Sequence, residues 1–432
     1  MASLKSSADL VNAIETAVRF YEEPPTKGIT VTTDWSEIWL SPEDWAEAFD
    51  APDPGTAHNQ ARDRIWEELL TILMDKHDDE ASADLLRKSL LQNQELHTAF
   101  NLAWPLLDAA DLVADLWSVP AYLRRCAPWL HHDGVQKLQR ADAQAWTVSD
   151  LPLLDAARQR LGDPEASRRQ RRRNAAVEAD REQMTRVIDD LIAADDDEYG
   201  VGLVTMLRGE DFHDALVDDT ALATADPDLL AGPFAHVVVD EAQELTDAEW
   251  QMMLARCPSR SFTIVGDRAQ ARHGFTESWQ ERLERIGLDR INVATLTINY
   301  RTPEEVMVEA EPLIRAVLPN ANVPISIRSN GVSVVRGSTS DLGSILDTWL
   351  AAHADGIACV IGAGDIEGGT FRAVFRGRPR ARSLTPELCK GLEFDLVVLI
   401  DPEAFGKGIE GAVDRYVAMT RATQQLVILT SS

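Results

Sequence analysis

Two short apolar runs, each breaking into a polar turn, constrain the fold more than any other feature of the sequence. The first, Phe234 to Val239, ends in Asp240-Glu241 and passes through a turn into a helical pattern; the second, Phe262 to Val265, ends in Gly266, Asp267 and Gln270. A short apolar run without alternation reads as a strand covered on both faces, as in a parallel sheet. Two such strands joined through a helix follow the grammar of an α/β layer structure. In open α/β sheets ligands bind at the carboxyl ends of the strands, which is where these polar residues fall. Asp240 is suited to hold a hydrated magnesium ion, and Glu241 to orient and deprotonate an attacking water. Gln270 is placed to sense a terminal phosphate. Helix starts favour acids in any case, so one Asp-Glu pair says little; two strand-ending motifs in series say much more.

Charge divides the chain. The formal net charge is -29, with 50 acidic and 22 basic side chains up to residue 250, against 21 and 20 in the remainder. Between Asp195 and Asp228 there are 11 carboxylates and one basic residue, Arg208. That field repels phosphate backbones, so no nucleic-acid groove is expected there and direct DNA binding is expected to be weak or absent. The segment reads as a solvated acidic surface or as an arm that meets a basic partner. A cluster of opposite sign, Arg168, Arg169, Arg171, Arg172 and Arg173, is suited to grip phosphates, but acids follow closely and a charged exposed helix is the preferred reading.

Residues 8 to 22 read as a helix, and residues 28 to 40 alternate as a strand or hairpin. From Asn59 to about residue 225 the apolar spacing is helical, as in Ile65, Leu69, Ile72 and Leu73, with Pro105, Pro120, Pro128, Pro152 and Pro164 as punctuation. Trp104, Trp117, Trp129 and Trp146 read as packing residues. The four cysteines, Cys126, Cys257, Cys359 and Cys389, show no CxxC pair or ligand spacing, which argues against a zinc site and for reduced thiols in a cytoplasmic protein. The first 25 residues lack the pattern of a signal peptide, and no window supplies about 18 uncharged apolar residues, so no membrane association is expected.

The ordered set DEAQE (240 to 244), GDRAQ (266 to 270), NYRTP (299 to 303), CKGLEFDLVVL (389 to 399) and YVAMTRATQQLVIL (416 to 429) resembles motifs two to six of superfamily-one helicases of the UvrD/Rep type. Joined to a long acidic helical segment, the set resembles the HelD-type helicase-like proteins that bind bacterial RNA polymerase. The resemblance implies ATP or GTP with magnesium as cofactor of the full-length protein, and a role for each matching residue. Tyr300 would stack on the nucleobase, Glu393 would accept from the ribose hydroxyl, and Lys390-Gly391 would form a tight loop in the nucleotide site. Arg301 and Arg421 would reach the terminal phosphate, a task for which planar guanidinium groups are well shaped. Asp240, Glu241 and Gln270 keep the roles read from their positions.

The departures are equally specific. A phosphate-cradling loop needs G-x-x-x-x-G-K-[ST]. The one Gly-Lys pair, Gly406-Lys407, has Asp401 where the first Gly belongs and Gly408 where Ser or Thr belongs. UvrD-type motors carry that loop upstream of the DEAQE strand, so the chain is read as starting after it, and ATP hydrolysis by this chain alone is not expected. The aromatic residues that should follow Gln270 to stack on single-stranded bases are replaced by ARHGF, in which His273 and Phe275 are poor substitutes. Arg301 and Lys390 lie 89 positions apart, too few for the large domain that UvrD-type enzymes insert there.

The expected fold is α/β, with RecA-like motor halves preceded by a mainly helical insertion. Residues 1–58 are either the end of the first motor part or the base of the insertion. The acidic insertion then runs over 59–225, the carboxyl-terminal part of the first motor domain over 226–285, and the second motor domain over 286–432. The expected function is that of a helicase-like NTPase motor in a factor that binds core RNA polymerase, clears nucleic acid from it and recycles stalled enzyme. The alternatives are an ATP-dependent DNA repair helicase of the UvrD kind and a non-enzymatic polymerase-binding module.

Overall fold

A computed structural model describes residues 2–77, 82–164, 231–272, 275, 277–364 and 371–431. The arginine cluster, the acidic stretch from Asp195 to Asp228 and His273 lie outside the described residues, as does the later part of the expected helical insertion. The chain forms two compact units. One comprises residues 1–233 together with 246–256, and the other residues 234–245 together with 257–432. The boundary runs through the middle of the segment 226–285.

The first unit is mainly helical. Its hairpin pairs β1 (Ile29–Thr32) with β2 (Glu37–Leu40) antiparallel, as the alternation over 28 to 40 leads one to expect. Helix Ala8–Arg19 presents Leu10, Ile14 and Val18 at helical spacing to a core shared with Leu112, Trp117 and Leu153. A second core gathers Ile65, Leu69 and Leu73 of helix His58–Asp75 around Trp45, Phe100 and Trp104. Of the four tryptophans read as packing residues, Trp104 and Trp117 are buried and Trp146 packs against the first core. Trp129 is 45% exposed. It follows Pro128 in the break between helices Pro120–Cys126 and His132–Leu138, where no helical face directs it inward. The helix that follows the Asp-Glu turn, Asp247–Arg256, also belongs to this unit: Trp250 is fully buried and Arg256 pairs with Asp155 of helix Leu151–Leu161.

The second unit is mixed α/β with parallel sheets. Two short parallel pairs come first: β3 (Val237–Val239) with β4 (Phe262–Ile264), and β5 (Ile298–Asn299) with β6 (Ile325–Ser326). A five-stranded, all-parallel sheet follows. Its strands, β7 (Val335–Ser338), β8 (Ala358–Ile361), β9 (Ala381–Leu384), β10 (Phe394–Ile400) and β11 (Ala422–Thr430), lie in the order β7-β11-β10-β8-β9. Alternation of side chains builds two apolar layers from continuous apolar sequence. Cys359, Ile361, Val397, Leu399, Leu426 and Ile428 pack in one layer with helices Glu304–Val317 and Gly408–Thr420. Their neighbours Val360, Val398, Ile400, Val427 and Leu429 pack in the other with helix Leu342–Ala352. The expected strand from Phe234 shortens to three residues, because β4 offers pairing partners only from Val237 to Val239.

Among the described residues no helix is long and apolar enough to cross a membrane.

Candidate nucleotide-reading site

The second unit brings the carboxyl ends of β3 and β4 to the amino ends of β10 and β11. Asp240 and Glu241 follow β3, Asp267 and Gln270 follow β4, Glu393 precedes β10 and Arg421 precedes β11. Tyr300 and Arg301 follow β5.

The β3 turn is strained where the chemistry is expected. Glu241 has φ +51°, in the left-handed region that non-glycine residues seldom enter, and such outliers concentrate at functional sites. Asp240 is exposed, and its Oδ1 accepts from the Glu241 amide at 2.8 Å. Magnesium takes one or two protein carboxylates and fills its octahedron with waters and phosphate oxygens. A single exposed Asp240 at a strand end fits that donor set. Among the described residues no group of three or more His, Cys, Asp or Glu side chains could form an all-protein metal cage.

Gln243, 6% exposed, spans the two turns. Its Nε2 donates to Glu241 Oε2 at 2.6 Å, and its Oε1 accepts from the Asp267 amide at 3.0 Å. Asp267 in turn accepts from the Ala269 amide at 2.8 Å and from Gln270 Nε2 at 2.9 Å. Burial, helped by the charge of Glu241, raises the Asp267 pKa above the ordinary aspartate value against the pull of Gln270, Ala269 and Arg421.

Arg421 is 2% exposed and forms no ion pair among the described residues. Its Nε donates to Val417 O at 3.1 Å and its Nη2 to Gln270 Oε1 at 3.2 Å, so its direct partners are neutral oxygens. Burial, and next the charge of Arg301, push its pKa below the usual arginine value. A buried cation without a counter-ion is costly, and an anion drawn to it would relieve that cost.

Three of the other expected residues are held in ion pairs. Arg301 Nη1 meets Glu393 Oε1 at 2.9 Å, so that the carboxylate assigned to a ribose holds a guanidinium. Lys390 Nζ meets Glu244 Oε1 at 2.5 Å, and Gly391 turns at φ +73° beside it. Tyr300 is 78% exposed and open to stacking. Phe275, by contrast, is buried between Trp279 and the guanidinium groups of Arg268 and Arg282, so it belongs to the core and offers no base platform.

Three further residues join the site without having been assigned a part in the sequence. Gln243 and Glu244 lie within the DEAQE motif, but nothing in the motif discloses their partners. Asp414 is buried in helix Gly408–Thr420 with Arg272 Nε 3.3 Å away, and burial raises its pKa above the ordinary value despite that neighbour. An acid set among the apolar residues Ala412, Val413, Tyr416 and Val417 was the available signal.

No family model and no curated protein matches the chain. Among solved structures the chain is similar to the Arterivirus nonstructural protein 10 helicase, determined in complex with DNA, at 21% identity and a TM-score of 0.27. The match covers 45% of this chain and spans 39% of the viral one.

Proposed function

We propose that the second unit is the nucleotide-reading part of a RecA-like, helicase-like NTPase, and that the protein acts on bacterial core RNA polymerase. The observation that carries the first half is Arg421, a buried guanidinium facing neutral oxygens beside the carboxylate-bearing strand ends. A terminal phosphate of ATP or GTP would supply the missing counter-charge, in the desolvated surroundings where such an interaction is strongest. Asp240 would hold magnesium, which when bound neutralises phosphate charge. Glu241 would orient water, Gln270 would read the terminal phosphate through the amide now shared with Arg421, and Tyr300 would receive the base. Arg301 and Glu393 would part to meet phosphate and ribose, each exchanging a half-exposed ion pair of small worth.

The second half rests on charge. A surplus of 28 acidic side chains in the first 250 residues, with 11 carboxylates between Asp195 and Asp228, suits a basic, nucleic-acid-binding channel and repels DNA itself. By this reading the acidic part displaces nucleic acid from the polymerase and so helps recycle stalled enzyme.

Two experiments test these halves separately. Magnesium-dependent binding of a fluorescent ATP analogue, measured by anisotropy, is expected for the wild type and expected to weaken sharply in Arg421→Met; equal binding by both refutes the site. Pull-down of core RNA polymerase, competed with double-stranded DNA at two salt concentrations, is expected to show salt-sensitive binding that DNA displaces. It should weaken when the carboxylates of 195–228 become amides. Binding to single-stranded DNA in place of polymerase would favour a repair helicase instead.

A further inference from the structure

Five residues of the site form one hydrogen-bonded series with a single direction. Arg421 Nη2 donates to Gln270 Oε1, Gln270 Nε2 donates to Asp267 Oδ2, the Asp267 amide donates to Gln243 Oε1, and Gln243 Nε2 donates to Glu241 Oε2. Chemistry fixes the orientation of both glutamine amides. A guanidinium and a backbone N–H only donate, so each must face an amide oxygen, and each amide nitrogen is thereby turned to a carboxylate. The fit around Gln243 is close. A Cβ on Gly266 would lie 3.0 Å from Gln243 Oε1 and 2.6 Å from the Trp279 ring, so the glycine leaves room for the crosspiece.

We propose that Gln243 is a positioning residue that holds the Glu241 carboxylate and couples it, through Asp267 and Gln270, to the state of Arg421; this rests on the nucleotide-reading function proposed above. A phosphate that draws Arg421 away frees Gln270 Oε1. Gln270 then loosens its hold on Asp267, the Asp267 amide shifts against Gln243, and Glu241 is released or re-aimed. Occupancy of the phosphate position is thus reported about three side chains away, at the group that orients water. Neither a glutamate nor a methionine at 243 can do this, since the first lacks the donor and the second lacks both polar ends.

The test follows the side-chain amide protons of Gln243 in the full chain labelled with 15N at glutamine, with the Gln243 signal identified by its loss in Gln243→Met. In Gln270→Met, two links away, the Gln243 amide should shift and exchange with solvent roughly 2- to 10-fold faster, as suits the loss of support worth one hydrogen bond. Gln270→Glu keeps an acceptor for Arg421 but no donor for Asp267, and should give the same response if the methionine variant folds poorly. A Gln243 signal unchanged in a folded Gln270 variant overturns the coupling; simple packing of Gln243 would leave it unchanged. Magnesium with a non-hydrolysable ATP analogue should move the Gln270 and Gln243 signals together in the wild type, and movement of Gln270 alone also overturns it. If the analogue moves neither signal, the nucleotide-reading function fails, while the variants still decide whether the coupling exists.

Discussion

Arg421 Nη2 and Gln270 Oε1 meet at 3.2 Å, joining the residue that precedes β11 to the turn that follows β4, 151 positions earlier in the chain. Because the guanidinium is buried and faces only neutral oxygens, its contributions to stability and to anion binding should separate. Arg421→Met is expected to alter unfolding free energy by no more than about 1 kcal/mol, since removal of an unpaired buried charge offsets the lost hydrogen bonds. Affinity for a nucleoside triphosphate should fall on the order of 100-fold. Chemical denaturation and nucleotide anisotropy measure the two effects, and a large loss of stability with unchanged affinity would make Arg421 a structural residue.

Tyr300 should behave in the opposite sense to a core aromatic. With 78% of its surface exposed, Tyr300→Ala should change stability by less than about 0.5 kcal/mol. ATP affinity should drop roughly 10- to 100-fold, the range for one base stacked on an aromatic ring. Inorganic tripolyphosphate, which has no base, should bind both proteins equally.

Gly266→Ala should destabilise the second unit by about 1 to 3 kcal/mol, because the added methyl meets the Trp279 ring and Gln243 Oε1 within 3.0 Å. Urea unfolding followed by tryptophan fluorescence reads the loss. The variant should also weaken triphosphate discrimination, since Gln243 must move for the methyl to fit.

The helical unit carries a pH-dependent contribution at Asp150. Its carboxylate is fully buried, with Lys5 Nζ at 2.6 Å, Arg140 Nη1 at 3.2 Å and Thr147 Oγ1 at 2.7 Å. Burial acts to raise its pKa, but the hydrogen bonds from Lys5 and Thr147 and the charge of Lys5 prevail and leave it below the ordinary value. A carboxylate whose pKa is lower folded than unfolded stabilises the fold above its unfolded pKa, about 3.9, and loses that effect as pH falls through the folded value. Asp150→Asn should therefore cost about 3 to 5 kcal/mol at pH 7, where it leaves Lys5 buried without its partner. The difference from wild type should shrink below about pH 4, as circular dichroism of acid unfolding would show.

What was legible in the sequence is what adjacent residues decide among themselves. Continuous apolar runs such as Leu396 to Ile400 specify strands covered on both faces, because side chains alternate and both layers must be dry. Helical spacing through Leu10, Ile14 and Val18 specifies a buried face, and the acids after Val239 mark the end of a strand. The charge imbalance is likewise complete in the composition. Tertiary structure alone decided the pairings. That Gln243 bridges Glu241 and Asp267, that Glu393 holds Arg301, and that Arg421 is buried beside Gln270 depend on strands and turns brought together from 24 to 151 positions apart. The same holds for the helix Asp247–Arg256, whose sequence continues the Asp-Glu turn but whose Trp250 is buried in the other unit. Local pattern sets which face of an element is apolar; which surface covers that face is chosen by packing over the whole chain, and the partners of buried polar groups follow from that choice.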